Sequence, residues 1–281
     1  MSKKDKTKTR RKPFFITLID QIKQDKKAYI VFLVLSLLIL GVVVHSIVAR
    51  RYENLFTGLL ASALLLIPPF IEKSFRVKLP TTLEILAYAF VFCAEILGEI
   101  GNFYHTFPFW DLMLHTFNGF MFAAFGFSLV DILNRGKANR HEMSPVFLAF
   151  VAFCFSMTIG VMWEFIEFGI DSLLLKDMQK DFLVSNIYSV TFDPEKSNKV
   201  VALKEITKTI ITMKDGSTVT IDGYLDIGLV DTMKDLLVNL IGAIVFSVIG
   251  FFYVKHRGKG KFAGQFIPKF KEDSPTDSPT E

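Results

Sequence analysis

The chain has 281 residues, of which 51% are hydrophobic and 14% aromatic, including 30 Phe. One water-soluble core of this length does not need so much apolar surface, so the composition indicates a membrane protein. The net charge of +4 is small and its basic residues flank apolar runs, which argues against a nucleic-acid-binding domain.

The chain begins with a basic cytoplasmic arm, residues 1–28. Its first twelve residues are polar and basic and predict disorder. Residues 14–26 mix apolar and charged side chains, which fits either an amphipathic helix on the membrane surface or a plain linker. The first apolar run begins near Tyr29 and lacks a small-residue cleavage site, so it predicts a retained anchor and not a cleaved signal peptide.

Six apolar segments follow, each near the roughly 20 residues that cross a hydrocarbon layer. They cover about residues 29–48, 55–71, 82–104, 109–133, 145–170 and 233–254. Pro68-Pro69 is expected to kink or end the second segment. The cysteines, Cys93 and Cys154, fall inside apolar runs, so neither a disulfide nor a cysteine-based zinc site is expected. The sequence predicts an all-α polytopic membrane protein, with helices 1–5 within residues 29–171 and helix 6 within 231–257.

The large loop, residues 172–230, separates the fifth and sixth helices. It contains β-branched runs around Asp215-Gly216, which predict a β-hairpin. We therefore expect a small extracytoplasmic β element above the helix bundle. Residues 258–281 are rich in Pro, Ser and Thr at their end and predict a disordered cytoplasmic tail.

Lys and Arg in the short loops set the expected orientation. The basic residues follow the second, fourth and sixth segments: Lys73, Arg76, Lys78, Arg135, Lys137, Arg140, Lys255, Arg257, Lys259 and Lys261. All of them fall on one side if both termini are cytoplasmic, with Arg50 and Arg51 as the exception. The sequence thus predicts a multi-pass protein of the bacterial inner membrane that contacts lipids.

Polar side chains in the apolar segments recur at three- or four-residue steps, which places each set on one helical face. The sets are Glu95 and Glu99; Asp111, His115 and Gly119; Glu164 and Glu167; and Asp231, Asp235 and Asn239. In the expected topology these sets all lie in the outer half of the membrane, together with Asp171. They would form a polar funnel, and Gly119 with Gly242 would allow close helix contact.

A carboxylate near a helix centre costs about 2.5–3.5 kcal/mol on insertion scales. Because few basic residues are near, we expect either a bound divalent cation or carboxylates that share protons. Carboxylates with one imidazole favour Mg²⁺, Mn²⁺, Ca²⁺ or Fe²⁺, and Zn²⁺ less. The expected metal ligands are Asp111, His115, Glu164, Glu167 and Asp235. Catalysis would use the same residues except Glu167, with Asn239 orienting water or substrate. Alternatively, His115 hydrogen-bonds Asp111 or Glu164 and only locks two helices together.

The motifs "DLMLH", "EFIE" and "DLLVNLIG" resemble those of VanZ-like membrane proteins. The longer stretches "MWEFIEFGID" and "GYLDIGLVDTMKDLLVNLIGA" resemble the uncharacterised YjdF-like inner-membrane family. The resemblance to VanZ-like proteins implies a link to the cell envelope. It also implies that the motif residues are Asp111, His115, Glu164, Asp235 and Asn239. Glu167 stands where that pattern has Gln, and Asp231 lies where it has Arg.

Three functions fit these residues. The first is an envelope enzyme that acts on a lipid-linked or cell-wall substrate. The second is a cation or proton transporter. A transporter needs a polar path that continues to the inner side of the membrane, yet Glu84 is the main ionisable residue in the inner halves of the helices. The third is a non-catalytic scaffold or sensor. The sequence leaves open whether the protein is an enzyme.

Overall fold

The computed structural model describes residues 23, 25–74, 77–135, 143–256, 262–267 and 269–270. Within this part, five helices are long and apolar enough to cross a membrane: Lys26–Val48, Tyr52–Ser74, Trp110–Val130, Pro145–Leu174 and Leu229–Lys255. Short antiparallel strand pairs accompany them. The predicted class, a helical membrane protein with a small β element, is confirmed, but the third of the six predicted segments, about residues 82–104, is not among these five candidate spans. The amphipathic segment predicted at 14–26 lies almost wholly outside the described residues.

The first helix group contains α1 (Lys26–Val48), α2 (Tyr52–Leu64), α3 (Ile67–Ser74) and α4 (Thr81–Val91). The Asp25 carboxylate caps α1 by accepting the backbone N–H groups of Lys27 and Ala28 at 2.9 and 3.2 Å. Pro68 and Pro69 lie in the first turn of α3, where a missing N–H costs little. The predicted interruption of the second segment is therefore confirmed.

The third predicted segment is helical but has two hydrogen-bonding patterns. α4 continues directly into a π-helix, Phe92–Ile100, which carries Glu95 and Glu99. Such wider turns are rare and often occur at functional sites. Asn102, at a φ of 59°, then turns the chain into the short helix α5, Phe103–Thr106.

The second helix group contains α6 (Trp110–Arg135), α7 (Pro145–Leu174) and α8 (Leu229–Lys255), each packed on the other two. The backbones of α6 and α8 touch at two glycines. A Cβ on Gly119 would collide with the backbone oxygen of Asn239, and one on Gly242 with the backbone oxygen of Thr116. The expected role of both glycines in close helix contact is confirmed.

One end of this group carries the polar residues, and we call it the site end. The opposite half is a filled apolar core. Ala123, Ala124, Ala152 and Phe246 are completely buried there. The Phe246 ring meets Phe120 edge-on, with centroids 5.2 Å apart. Small and large side chains therefore pack together and fill the interior of this half of the second helix group.

The chain folds back under the far end of the bundle after α8. Phe266 and Ile267 are buried in the core just described, with the Phe266 and Phe120 ring centroids 5.0 Å apart. Strand β8 (Lys269–Phe270) pairs antiparallel with β1 (Val77–Lys78) and links the two helix groups. The disorder predicted from Gly258 onward is therefore corrected for these residues, because burial of two apolar side chains stabilises an ordered return.

The large loop contains three antiparallel strand pairs. These are β2 (Leu183–Val184) with β7 (Tyr224–Leu225), β3 (Ile187–Ser189) with β4 (Val201–Leu203), and β5 (Thr209–Thr212) with β6 (Thr218–Ile221). Gly216, at a φ of 83°, lies in the turn between β5 and β6 and supplies a conformation that other residues rarely adopt. The hairpin predicted around Asp215-Gly216 is confirmed.

Candidate functional site

Three side chains meet at the site end and form what we call the Asp–His–Asp centre: Asp111 and His115 of α6, and Asp235 of α8. The His115 Nε2 atom is 3.5 Å from Asp111 Oδ1 and 3.8 Å from Asp235 Oδ2. One donor atom from each of the three residues lies within 4.8 Å of the other two. His115 is 7% exposed and Asp235 only 1%, so the centre is largely closed to solvent.

Glu164 of α7 lies on the other edge of the same imidazole. Its Oε1 atom is 3.9 Å from His115 Nδ1. The two nitrogens of His115 therefore face different carboxylates, and only Nε2 faces the Asp111–Asp235 pair. In metal sites the second nitrogen of a ligating histidine usually donates to a carboxylate, which fixes the orientation of the ring. Glu164 has the position of that second carboxylate.

Several buried oxygens at this centre lack a hydrogen bond of good geometry among the described residues. They are both carboxylate oxygens of Glu164, both of Asp235, and Oδ1 of Asn239. Thr232 and Gln179 lie near Glu164, but the Gln179 amide donates to the Thr232 hydroxyl at 2.5 Å. Leaving a buried polar group without a partner costs about 1–3 kcal/mol, and more for a charged group. The arrangement therefore calls for an additional positive or hydrogen-bonding group.

Asn239 lies one helical turn deeper than Asp235 on α8. Its Nδ2 atom is 3.5 Å from the Met157 sulfur, a weak acceptor. It packs against Gly160 of α7, where a Cβ would come within 2.6 Å of Nδ2. Gly160 thus leaves room for the Asn239 amide directly beneath the centre.

The spacing of the Asp–His–Asp centre fits one hard cation. Two ligands on opposite sides of Mg²⁺ or Ca²⁺ lie about 4–5 Å apart. The separations of 3.5 and 3.8 Å at His115 Nε2 are longer than hydrogen bonds. The two carboxylates are ligands that suit Mg²⁺ and Mn²⁺, and the imidazole is a ligand that suits Fe²⁺ and Zn²⁺. Of the five predicted metal ligands, the structure brings Asp111, His115 and Asp235 to one point and places Glu164 behind the imidazole.

Glu167, the fifth predicted ligand, is buried one turn from Glu164. Its Oε1 atom accepts the indole N–H of Trp163 at 2.8 Å, a contact within α7. The Trp163 side chain itself is partly exposed. Glu167 therefore has a partner of its own, whereas both oxygens of Asp235 do not.

The π-helix and α5 both pack against α6, beside the end that carries Asp111, and form a wall of the site. The Tyr104 phenol interacts electrostatically with Asp111, Glu95, Glu99 and Glu167. Its ring packs on Gly98, where a Cβ would lie 2.7 Å from the ring carbon Cζ. Glu95 and Glu99 thus lie near enough to Tyr104 to act on it electrostatically, as Asp111 does.

The segment that follows α7, residues 176–182, crosses the site end, and we call it the strap. Asp171 fixes one side of it: its carboxylate accepts the backbone N–H groups of Met178 and Gln179 at 2.6 and 2.8 Å. Asp231 of α8 accepts the N–H of Lys180 at 2.7 Å. The strap is thus tied to the end of α7 and the beginning of α8.

A third carboxylate completes the attachment of the strap. Asp226 accepts the backbone N–H of Phe182 through one oxygen and that of Val230 through the other, both at 2.6 Å. The Lys234 ammonium lies 3.4 Å above the centre of the Phe182 ring. Asp171 and Asp231, which the sequence places in the polar funnel, therefore hold backbone amides at its rim.

Sequence reasoning does not find two residues near this site, Tyr104 and Lys180. Tyr104 lies in a short connection between two helices, and the small residue Gly98, six positions earlier, is the signal of its packing. Lys180 interacts electrostatically with Asp111 and Asp231. Its place depends on two amide–carboxylate contacts distant in sequence, Lys180 with Asp231 and Phe182 with Asp226, which no local spacing reveals.

The fold and these side chains define a class: a helical membrane protein with a carboxylate–histidine cluster buried at one end of a three-helix group. The chain belongs to the DUF2238 family of predicted membrane proteins, whose model matches residues 30–256. It is 28% identical over 107 residues to an uncharacterised protein of Thermotoga maritima. That match covers 38% of this chain and 53% of the other, so the chain spans about half the length of this curated relative. No solved structure matches the chain.

The family match agrees with the resemblance to YjdF-like membrane proteins and extends over nearly all the helices. The resemblance to VanZ-like proteins is not shown by these comparisons and stays a prediction. Neither the family description nor the relative's name carries an activity. Function must therefore be argued from the site.

Proposed function

We propose that the protein is a metal-dependent enzyme of the bacterial inner membrane that acts on a lipid-linked or cell-wall substrate in the outer leaflet. Asp111, His115 and Asp235 bind one divalent cation, preferably Mg²⁺ or Mn²⁺. Glu164 orients His115 through Nδ1, and Asn239 orients water or substrate below the cation. The observation that carries the proposal is the convergence of three donor atoms within 4.8 Å beside buried, unpaired carboxylate oxygens.

The cation would perform the chemistry that the side chains cannot. A bound divalent ion polarises a carbonyl or phosphoryl oxygen and makes a coordinated water more acidic. With three protein ligands, Mg²⁺ or Mn²⁺ keeps open positions for water and substrate. The exposed fraction of Asp111 exceeds that of His115 and Asp235, so water or substrate would reach the centre from the Asp111 side.

The closed half of the second helix group favours an enzyme over a transporter. Residues 119–130 of α6, 145–160 of α7 and 240–254 of α8 contain no Asp, Glu, His, Lys or Arg. The filled core around Phe246 occupies the same depth. Glu84, the exception noted in the sequence, lies in the first helix group and accepts the Tyr88 hydroxyl at 2.8 Å. Within the described residues of this core, a hydrated ion would meet no charged side chain to replace its water.

The proposal is tested first by metal content. The purified full-length protein should retain close to one equivalent of Mn²⁺ or Mg²⁺ after gel filtration, and Asp235→Asn should lose it. Asp222→Asn removes the same charge from an exposed position in the large loop and should keep the metal. Equal metal content in all three proteins would contradict the proposed centre.

The enzymatic part is tested in vesicles of total bacterial lipid extract. Wild-type protein with Mn²⁺ should change the lipid profile measured by mass spectrometry, and His115→Ala should not. An unchanged profile, together with metal-dependent uptake of cations into the same vesicles, would instead support the transporter. Binding of an envelope protein without either change would support a scaffold or sensor.

A further inference from the structure

We infer that the site end is immersed in the lipid bilayer, so that the Asp–His–Asp centre meets the chain region of a membrane lipid. The surface that supports this inference is a set of exposed apolar side chains, which we call the apolar rim: Leu173, Leu174, Leu175, Ile227 and Leu229. The choice of a lipid as ligand rests on the proposed function. The contact of the rim with lipid does not require a bound metal.

The apolar rim lies where α7 ends and α8 begins. Leu173, Leu174 and Leu175 are 82, 65 and 88% exposed, and Ile227 and Leu229 are 80 and 65% exposed. Large exposed apolar patches mark sites of contact with a membrane or with another protein. The rim therefore needs an apolar partner outside the chain.

The outward face of α8 leads directly into the rim. Leu229, Met233, Leu237 and Ile241 follow one another at four-residue steps, so they form one stripe along the helix. Their side chains are 65, 53, 55 and 48% exposed, whereas Asp235, two residues out of step with the stripe, is buried. The deeper part of this stripe faces acyl chains in a membrane span. Because the stripe is unbroken, the same lipid layer covers its end at Leu229.

Two rim residues adopt a backbone conformation that usually belongs to glycine. Leu175 follows α7 at a φ of 53°, and Ile227 precedes α8 at a φ of 56°. This left-handed conformation is unfavourable for large side chains, and most of all for a β-branched one. Both side chains are exposed, so packing within the protein does not offset the cost. Contact with acyl chains would offset it, because it removes the side chains from water.

Charged side chains begin where the rim ends. Lys176 and Asp177 follow Leu175 directly, and both are exposed. The Lys176 ammonium pairs with Glu53 at 3.3 Å, in a contact that is open to solvent. Charged groups are costly inside hydrocarbon. The step from apolar to charged side chains is therefore the pattern of a membrane boundary, which favours lipid over a second protein as the partner of the rim.

This boundary places the centre within the acyl-chain region. Asp235 is six residues after Leu229, about 9 Å along α8, and Glu164 is nine residues before Leu173, about 14 Å along α7. One leaflet contributes about 15 Å of hydrocarbon. A water-soluble cell-wall fragment would have to leave water to reach this depth, whereas a membrane lipid already has chain atoms there. The substrate class that fits the depth is therefore a membrane lipid.

Nitroxide labels on single cysteines test the contact of the rim with lipid. The full-length protein carries Leu175→Cys or Ile227→Cys, with its native cysteines replaced by alanine, in nanodiscs of phosphatidylcholine and phosphatidylglycerol. Power saturation in electron paramagnetic resonance compares collisions with oxygen, which concentrates in hydrocarbon, and with a nickel chelate, which stays in water. Asp177→Cys and Asp222→Cys are the controls, because both positions are charged and exposed.

The ratio of oxygen to nickel collisions should be several-fold higher at the two rim positions than at the two controls. Labels at Leu229→Cys, Met233→Cys and Leu237→Cys should show a steady rise, because each step lies about 6 Å deeper. Equal ratios at rim and control positions would overturn the inference. Low collision rates with both reagents would also overturn it, and spin–spin broadening would then assign the rim to a second copy of the chain.

Bound Mn²⁺ tests the depth of the centre, because its magnetic moment broadens the signals of nearby nitroxides. The nanodiscs then contain phosphatidylcholine labelled either on its headgroup or in the middle of one acyl chain. We expect greater broadening of the mid-chain label with the wild-type protein, and no broadening with Asp235→Asn after free Mn²⁺ is removed. Equal or greater broadening of the headgroup label would overturn the lipid chain as ligand.

The two measurements separate the inference from the proposed function. If no Mn²⁺ is retained but the rim labels lie in hydrocarbon, the metal centre is wrong and the contact of the rim with lipid stands. If Mn²⁺ is retained but the rim labels face water, the inference is overturned and the metal centre stands.

Discussion

The Nδ1 atom of His115 lies 3.9 Å from Oε1 of Glu164, on the ring edge opposite to Asp111 and Asp235. One imidazole thus separates the carboxylates into two groups with different roles. The carboxylates on the Nε2 side can share an ion with the ring, whereas Glu164 can only accept a proton or hydrogen bond from Nδ1. This relationship gives the site its first quantitative test.

Glu164→Gln should weaken Mn²⁺ binding by about 10–100-fold, the usual effect of losing an outer carboxylate partner. Gln has nearly the size of Glu but carries no charge, so it no longer raises the basicity of the His115 imidazole. Asp235→Asn should abolish measurable binding, because it removes a direct ligand. Titration calorimetry of both variants checks the order, with the exposed Glu205→Gln as control. An equal loss of Mn²⁺ affinity in Glu164→Gln and Asp235→Asn would indicate that Glu164 binds the metal directly.

Gly242→Ala should destabilise the protein, because its methyl group would meet the Thr116 carbonyl and lie 2.8 Å from the Phe120 nitrogen. Overpacking of this kind costs about 1–3 kcal/mol. Gly169→Ala is the matched control in α7, since nothing lies within 4 Å of the added methyl group. Alanine is the better helix former by about 1 kcal/mol, so the control should unfold at the same or a higher temperature. Thermal unfolding in detergent measures both; a stabilised Gly242→Ala protein would refute the backbone contact.

Asp171→Asn should release one side of the strap. The Asp171 carboxylate accepts two backbone N–H groups, and hydrogen bonds to a charged group contribute about 1.5–3 kcal/mol. Hydrogen exchange at residues 178–179 should therefore become about 10–100-fold faster. Asp177→Asn, which changes an exposed side chain of the strap, should leave these rates unaltered. Unchanged exchange in Asp171→Asn would show that the strap does not depend on this carboxylate.

Asp193 gives the large loop a predictable response to acid. Burial alone would raise the pKa of Asp193, but hydrogen bonds from the Lys199, Ser197 and Glu195 amides and the Ser197 hydroxyl outweigh it and lower the pKa below 3.8. Because the pKa of Asp193 is lower in the folded loop, its carboxylate stabilises the ordered loop at pH values above its pKa in the unfolded chain. This stabilisation is lost as the pH falls through the pKa of the folded loop. Amide protection at residues 195–199 should thus be constant near neutral pH and decline below about pH 4.

The control for this pH dependence is Asp193→Asn. It should already show reduced protection at pH 7 and a smaller further loss on acidification. Hydrogen exchange, corrected for the intrinsic pH dependence of amide chemistry, provides both curves. Coincident curves for wild type and Asp193→Asn would mean that ionised Asp193 does not organise the loop.

Sequence patterns predict the helices well because helix formation follows local rules, and the same rules place the predicted site residues on shared helical faces. Apolar length defines the spans, and the four-residue step from Asp111 to His115 puts both on one face. The spacing of Glu164 and Glu167 suggests two equivalent carboxylates, yet Trp163 engages Glu167 alone. Which carboxylate meets which imidazole nitrogen depends on helix rotation, which residue spacing does not determine.

The remaining features depend on contacts distant in sequence. The strap is held by pairs such as Lys180 with Asp231, 51 residues apart. The return of Phe266 to the core depends on the shape of a cavity that three helices form together. The π-helix also escapes prediction, because its apolar pattern is that of an ordinary helix. The sequence therefore predicts the presence of a polar cluster but not its division into a centre, a wall and a strap.

The most direct test of the central claim is pulsed electron paramagnetic resonance of Mn²⁺ bound to the purified protein. The account predicts a coupling to one directly bonded ¹⁴N nucleus, from Nε2 of His115. The coupling should vanish in His115→Gln and persist in His105→Gln, a histidine in the short helix α5. Bound Mn²⁺ without a nitrogen coupling in wild type, or with one that survives His115→Gln, would contradict the proposed centre.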